Sequence, residues 1–195
     1  MATESRYSIA YHVRQMLFQI GEDAMRQGLA DTPTRVERMW REELFYGVGI
    51  DPVDELRGAI FEEPAQVYDA LVMVRDIPVM SVCEHHLVPF IGKAYVGYVP
   101  GDAVVGLSKI ARAVDIICRR PQVQERVTSQ IVDALEEALA PKGCMAVVKA
   151  EHFCMTLRGV KSPGTSTVTS AVRGVFMHDG RAREEFLHLM DSPSG

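Results

Sequence analysis

"VYDALVMVRDIPVMSV", residues 67–82, is rich in valine and methionine and shows no helical period. It reads as a β-strand, and three further stretches share that texture. They are "GKAYVGYVPG" (92–101), "CMAVVKAEHFCMTLRG" (144–159) and the β-branched "TSTVTSAVRGVFM" (165–177). Two helices separate the strand pairs. "LSKIARAVDIICRR" (107–120) sets Ile110, Val114, Ile117 and Cys118 at helical spacing. "PQVQERVTSQIVDALEEAL" (121–139) sets Val123, Val127, Ile131 and Leu135 four apart, with Gly143 beyond as a stop. "RAREEFLHLM" (181–190) closes the chain as a short helix.

Upstream, Ile9, Val13, Met16, Leu17, Ile20 and Ala24 predict a helix within 5–29 that stops at Gly28. "DTPTRVERMWREELFYG" (31–47) predicts a second, with Thr32 as N-cap, Pro33 in the first turn and Gly47 at its end. Residues 47–66 read as a loop. The order helices, strands, helices, strands, helix predicts an α+β chain with a largely antiparallel sheet. An N-terminal helical region, 1–66, precedes a sheet-bearing domain, 67–195.

The chain has 195 residues, 47% apolar and 24% charged, the balance of an ordinary globular protein. A net charge of −5 argues against a nucleic-acid surface, which needs a basic face. No apolar run approaches the roughly 20 residues that span a bilayer, and the first residues carry charges where a signal peptide would not. A cytoplasmic protein with reduced cysteines and no membrane partner is expected.

"SVCEHHLVPF", residues 81–90, places Cys83, Glu84, His85 and His86 in succession. Thiolate and imidazole are the preferred zinc ligands, and Cys-x-x-His is a spacing that one ion can chelate. Cys83 and His86 cannot share one face of a strand, so the pair implies a turn. A second Cys/His pair lies in "KAEHFCMTL" (149–157), where strand alternation would point His152 and Cys154 to one face. Bringing turn to strand yields Cys83, His86 and Cys154 as three ligands, with His85 and His152 left unligated nearby. Three ligands with spare histidines suit a catalytic zinc with an open position. Cys118 and Cys144 read as small hydrophobes, and His12, His178 and His188 as surface or capping residues.

Six motifs in order resemble the GTP cyclohydrolase I family: "TPTRVERMW", "SVCEHHLVPF", "GLSKIARAVD", "RPQVQERVTSQI", "EHFCMTLRGV" and "TSTVTSAVRGVF". The resemblance runs from about Thr32 to Leu189. It implies a tunnelling fold, an antiparallel four-stranded sheet with helices on one side, preceded by an N-terminal helical region. It implies a homo-oligomer of two stacked pentamers, with active sites between subunits. It implies that GTP and water become formate and 7,8-dihydroneopterin triphosphate, the first step toward pterins and folate, with Zn2+ on Cys83, His86 and Cys154.

By the same resemblance His152 is the acid at the guanine ring, His85 a second proton carrier, and Ser108 assists at the ribose oxygen. Lys109, Arg112 and Arg158, joined by Arg35, would hold the triphosphate, since arginine grips phosphate oxygens through paired N–H bonds. Without the family, Ser108 reads as a helix N-cap, and Lys109 with Arg112 as a solvated basic face. Glu125 would take the guanine edge with Gln124 adjacent, while Glu84 supports the ligand loop. A relative working through a nucleophilic cysteine would need a thiol not used as a ligand and a nicotinamide site, and no glycine-rich dinucleotide motif is present. A non-catalytic relative would be expected to have lost His85, His152 or a ligand, and all are present.

Overall fold

A computed structural model describes residues 7–62 and 70–192. The chain forms two compact units, Met1–Tyr46 and Gly47–Gly195. In the first, α1 (Ile9–Gln19) starts at Ser8, whose side chain accepts from the Tyr11 N–H. It ends well before Gly28, because Gly21 turns the chain at φ +89°. α2 (Thr32–Met39) has Pro33 in its first turn, with Asp31 rather than Thr32 at the N-cap, and continues as a π-helical turn over Trp40–Leu44. Glu37 Oε2 accepts the Ala10 N–H at 3.1 Å and ties the two helices together.

In the second unit, the stretch read as a loop holds α3 (Pro52–Arg57) and β1 (Ile60–Glu62). Asp51 caps α3 by accepting the Val53 N–H at 2.9 Å. Then follow β2 (Val72–Cys83), β3 (Pro89–Val99), β4 (Ala103–Val105), α4 (Leu107–Cys118), β5 (Pro121–Gln122) and α5 (Gln124–Leu139). β6 (Gly143–His152), α6 (Phe153–Thr156), β7 (Ser166–Gly174), α7 (Val175–His178) and α8 (Gly180–Asp191) complete it. The predicted strand start at Val67 lies outside the described residues. α5 stops at Ala140, which takes the left-handed conformation, so Gly143 opens β6 instead of ending the helix.

The main sheet has the order β5-β2-β3-β6-β7. Its four long strands are antiparallel, and the two-residue β5 adds a parallel fifth to β2. β1 and β4 form a separate antiparallel pair. Between Val74 and Ile77 the register of β2 shifts, with Asp76 at φ 56° and its carboxylate held by Lys93 Nζ at 2.7 Å.

Alternation along β6 sends Cys144, Ala146, Val148 and Ala150 into a core with Val53, Leu56, Ile110, Ile117, Val127, Ile131 and Leu135 of the three helices before it. Cys118 and Cys144 are fully buried there, and burial pushes both thiols up to about 12. Met145 and Val147 face the other way and pack with Phe176 and Phe186. α8 therefore covers part of the second face, so helices lie on both sides of the sheet rather than one. Arg75 Nη1 donates to the Leu189 and Ser192 carbonyls, each at 2.8 Å, and anchors the last turn of α8. Among the described residues, no helix is long and apolar enough to cross a membrane.

Candidate metal centre and active site

The "CEHH" stretch leaves the sheet at the end of β2. The Leu87 N–H donates to the Cys83 carbonyl at 2.8 Å and the Cys83 N–H to the Val88 carbonyl at 2.9 Å, closing a turn with Leu87 at φ 53°. This turn lets Cys83 and His86 face one point, with Cys83 Sγ 3.9 Å from His86 Nδ1. The other half comes from the end of β6, with one difference from the strand reading. β6 stops at His152, and Cys154 sits in the helical turn α6. Thr156 Oγ1 and the Gly164 N–H both donate to Glu151 Oε1, at 2.9 and 3.2 Å, and bend the chain back there. The register pairs Phe90 of β3 with His152, so β3 carries both turns at the same end of the sheet.

Cys83, His86 and Cys154 each offer a ligand atom, all within 4.8 Å of one another. A tetrahedral ion with bonds of about 2.0–2.3 Å holds its ligand atoms roughly 3.5–3.8 Å apart, so the set fits zinc after small side-chain adjustments. Burial, then the neighbouring Cys83, push the Cys154 thiol above its ordinary 9.0. Two thiols this close resist ionising together, and a cation between them removes that penalty.

These three line a cleft of about 250 Å³ together with His85, Glu125 and His152. His152 stacks on Phe90, with ring centroids 4.8 Å apart and planes at 9°. Burial lowers its pKa from 6.5, while the Glu125 carboxylate opposes that shift. Gln124 also lines the cleft although it is 1% exposed, and its Oε1 lies 2.8 Å from His152 Nε2. Arg158 Nη1 donates to His86 Nε2 at 2.9 Å.

Ser108, Lys109 and Arg112, of the same unit, do not line this cleft. Lys109 Nζ binds Glu55 Oε1 at 2.9 Å, and Arg112 Nη1 lies 3.6 Å from the same oxygen. The Lys109 ammonium, above all, holds the Glu55 carboxyl below its ordinary 4.5. Ser108 is exposed in the first turn of α4, where Gly106 occupies the N-cap. Arg35 lies in the N-terminal unit, exposed and 3.5 Å from Asp31. Glu55 escaped the sequence reading. Its only signal was the Asp51-Pro52 helix start, and nothing local pairs it with residues so far along the chain.

A family model for GTP cyclohydrolase I matches residues 9–191. The GTP cyclohydrolase 1 of Halalkalibacterium halodurans is 54% identical over 191 residues, 97% of this chain and 99% of that protein. That of Streptococcus thermophilus is 50% identical over 188 residues, covering 96% and 98%. That of Mycobacteroides abscessus is 54% identical over 180 residues, covering 91% and 86%. Among solved structures, the apo form of archaeosine synthase QueF-Like superposes with a TM-score of 0.43 at 18% identity, over 53% of this chain and 93% of that one. A match spanning both the paired Cys/His turns and the helices between them leaves one conclusion: the chain belongs to the GTP cyclohydrolase I family.

Proposed function

We propose that this chain hydrolyses and rearranges GTP to formate and 7,8-dihydroneopterin triphosphate, with zinc on Cys83, His86 and Cys154. The observation that carries the reading is the convergence of those three donors in one cleft with His85, His152 and Glu125. Zinc held there supplies Lewis acidity, which lowers the pKa of water toward about 7.

The chain's own residues do the rest. Carbon C8 of guanine is a poor electrophile until N7 takes a proton, and His152 supplies it from the wall of the cleft. Its stacking on Phe90 holds the ring in place. One water adds to C8 and the first C8–N bond breaks to leave a formamide. A second water adds to that carbon and the other C8–N bond breaks, releasing formate, and the later ring closure returns one water. The ribose then opens, rearranges and closes onto the exposed diamine, with His85 as second proton carrier and Ser108 assisting at the ribose oxygen. Glu125 accepts from the guanine N1–H and 2-amino group.

Lys109, Arg112, Arg158 and Arg35 hold the triphosphate. Because Ser108, Lys109 and Arg112 do not line the cleft of their own chain, a second copy supplies them. That supports a homo-oligomer, two stacked pentamers of the tunnelling fold, with sites between subunits. A site built on two thiolates suits the reducing cytoplasm. Incubating purified zinc-loaded protein with GTP tests the reading. Formate release with pterin fluorescence after oxidation is the expected result, and their absence overturns it.

A further inference from the structure

Gln124 is 1% exposed, and its side-chain amide is engaged entirely within the protein. Nε2 faces the Val148 and Thr167 carbonyls, each at 3.0 Å, and Thr169 Oγ1 at 3.1 Å. Carbonyl oxygens only accept, so the amide nitrogen must point at them and Oε1 must point at His152. The surrounding hydroxyls fix the same orientation. Thr128 Oγ1 donates to the Gln124 backbone carbonyl at 2.9 Å, so at the 2.6 Å contact between the threonines Thr169 is the donor. The Thr169 proton is thereby used, and its oxygen is left to accept from Gln124.

Oε1 has no hydrogen to give, so in the 2.8 Å contact His152 Nε2 must be the donor. A neutral imidazole carries one ring hydrogen, and here that hydrogen is committed to Nε2. Among the described residues, no hydrogen bond is made to Nδ1.

We propose that Gln124 is a positioning residue for His152: by accepting from Nε2–H it fixes the ring so that Nδ1 is the nitrogen that takes up a proton and hands it to the reacting purine, and its own side chain makes no contact with guanine. This rests on the reading of His152 as the proton carrier. A second-sphere partner that sets an imidazole tautomer is typically worth about 10–100-fold.

The test has a spectroscopic arm that needs no turnover. In zinc-loaded protein with 15N-labelled histidine, at a pH where the ring is neutral, the His152 resonances, assigned by their loss in His152→Ala, should show Nε2 protonated and Nδ1 bare. A ring protonated on Nδ1 and bare at Nε2 overturns the proposal. Gln124→Met keeps the length and loses the acceptor, so it should give mixed tautomers. Its kcat should fall about 10–100-fold with KM for GTP unchanged. A raised KM with kcat intact would make Gln124 a guanine contact and overturn the assignment. Thr169→Val loosens the same amide from outside the cleft and should shift tautomer and kcat in the same direction, even if Gln124→Met folds poorly. Should the parent release no formate from GTP, the cyclohydrolase reading fails, while the resting tautomer still decides what Gln124 holds.

Discussion

Glu84 and Arg126 grip each other through two bonds, Arg126 Nη1 to Glu84 Oε2 at 2.5 Å and Nη2 to Oε1 at 3.1 Å. The fork ties the ligand-bearing turn to the first turn of α5. Glu84 also donates its N–H to the Gln122 carbonyl at 3.0 Å, a second tie between this turn and the start of α5. Arg126→Ala should leave the fold intact, since exposed ion pairs contribute little to global stability. It should weaken zinc affinity about 10-fold by freeing the turn. Competition with a chromophoric chelator measures this, and unchanged affinity would mean the turn holds itself.

Replacing Cys83, His86 or Cys154 with alanine should remove zinc and turnover while the sheet stays folded. The core beneath the sheet is built from apolar residues far outnumbering this cluster. Elemental analysis beside circular dichroism checks both halves. Full zinc occupancy in Cys154→Ala would strike that residue from the ligand set.

His152→Ala should keep its zinc and lose about 10²–10⁴-fold in turnover, the usual cost of a missing general acid. Near-normal turnover would transfer the role, with His85 the first candidate because it lines the same cleft.

Glu125→Gln bears on the choice of base. Guanine offers two adjacent donors, and a carboxylate accepts both, whereas adenine presents a lone pair at N1 and no 2-amino group. The substitution should weaken GTP binding by about 1–3 kcal/mol without altering zinc content. Calorimetry with GTP and ATP measures it, and parental affinity for GTP would reduce Glu125 to helix surface.

Gly92 lies where β3 crosses β6, and a Cβ there would sit 2.0 Å from the Lys149 carbonyl oxygen and 2.5 Å from Ala150 Cα. These are backbone atoms that no rotamer change can move aside. Gly92→Ala should destabilise the chain by at least about 2 kcal/mol in denaturant melts and lower zinc retention in step. A melt like the parent's would show that the strands separate there at little cost.

The sequence exposed the strands and the two central helices because their periods are strong and local. Val127, Ile131 and Leu135 fall on the buried face of α5, where four-residue spacing put them. It misled where contacts across the chain decide. "FCMT" has a strand's composition, yet Thr156 and Gly164 converge on Glu151 and curl it into a helical turn, so Cys154 reaches the cleft by a bend. The amphipathic pattern of α8 announced a helix but not which face of the sheet it would cover. Lys109 and Arg112 looked like a free basic face, and only the fold brings Glu55 against them. The Cys83, His86 and Cys154 donors were legible as types at suggestive spacing, while the hydrogen bonds that Gln124 makes to His152, Val148 and Thr167 were not.

The pairing of Phe90 with His152 also makes the distance between the two halves of the donor set depend on the register of the central strands. Cys83 and His86 lie within one turn and can meet while the chain is still largely unfolded, but two donors make a weak chelate. Cys154 stands beside them only in the register that pairs β6 with β3, since a two-residue slip would carry it about 7 Å away. An ion held by all three donors would therefore report on sheet assembly. A chain that misaligns its central strands would be left without its ion, and so without the chemistry, instead of running it badly.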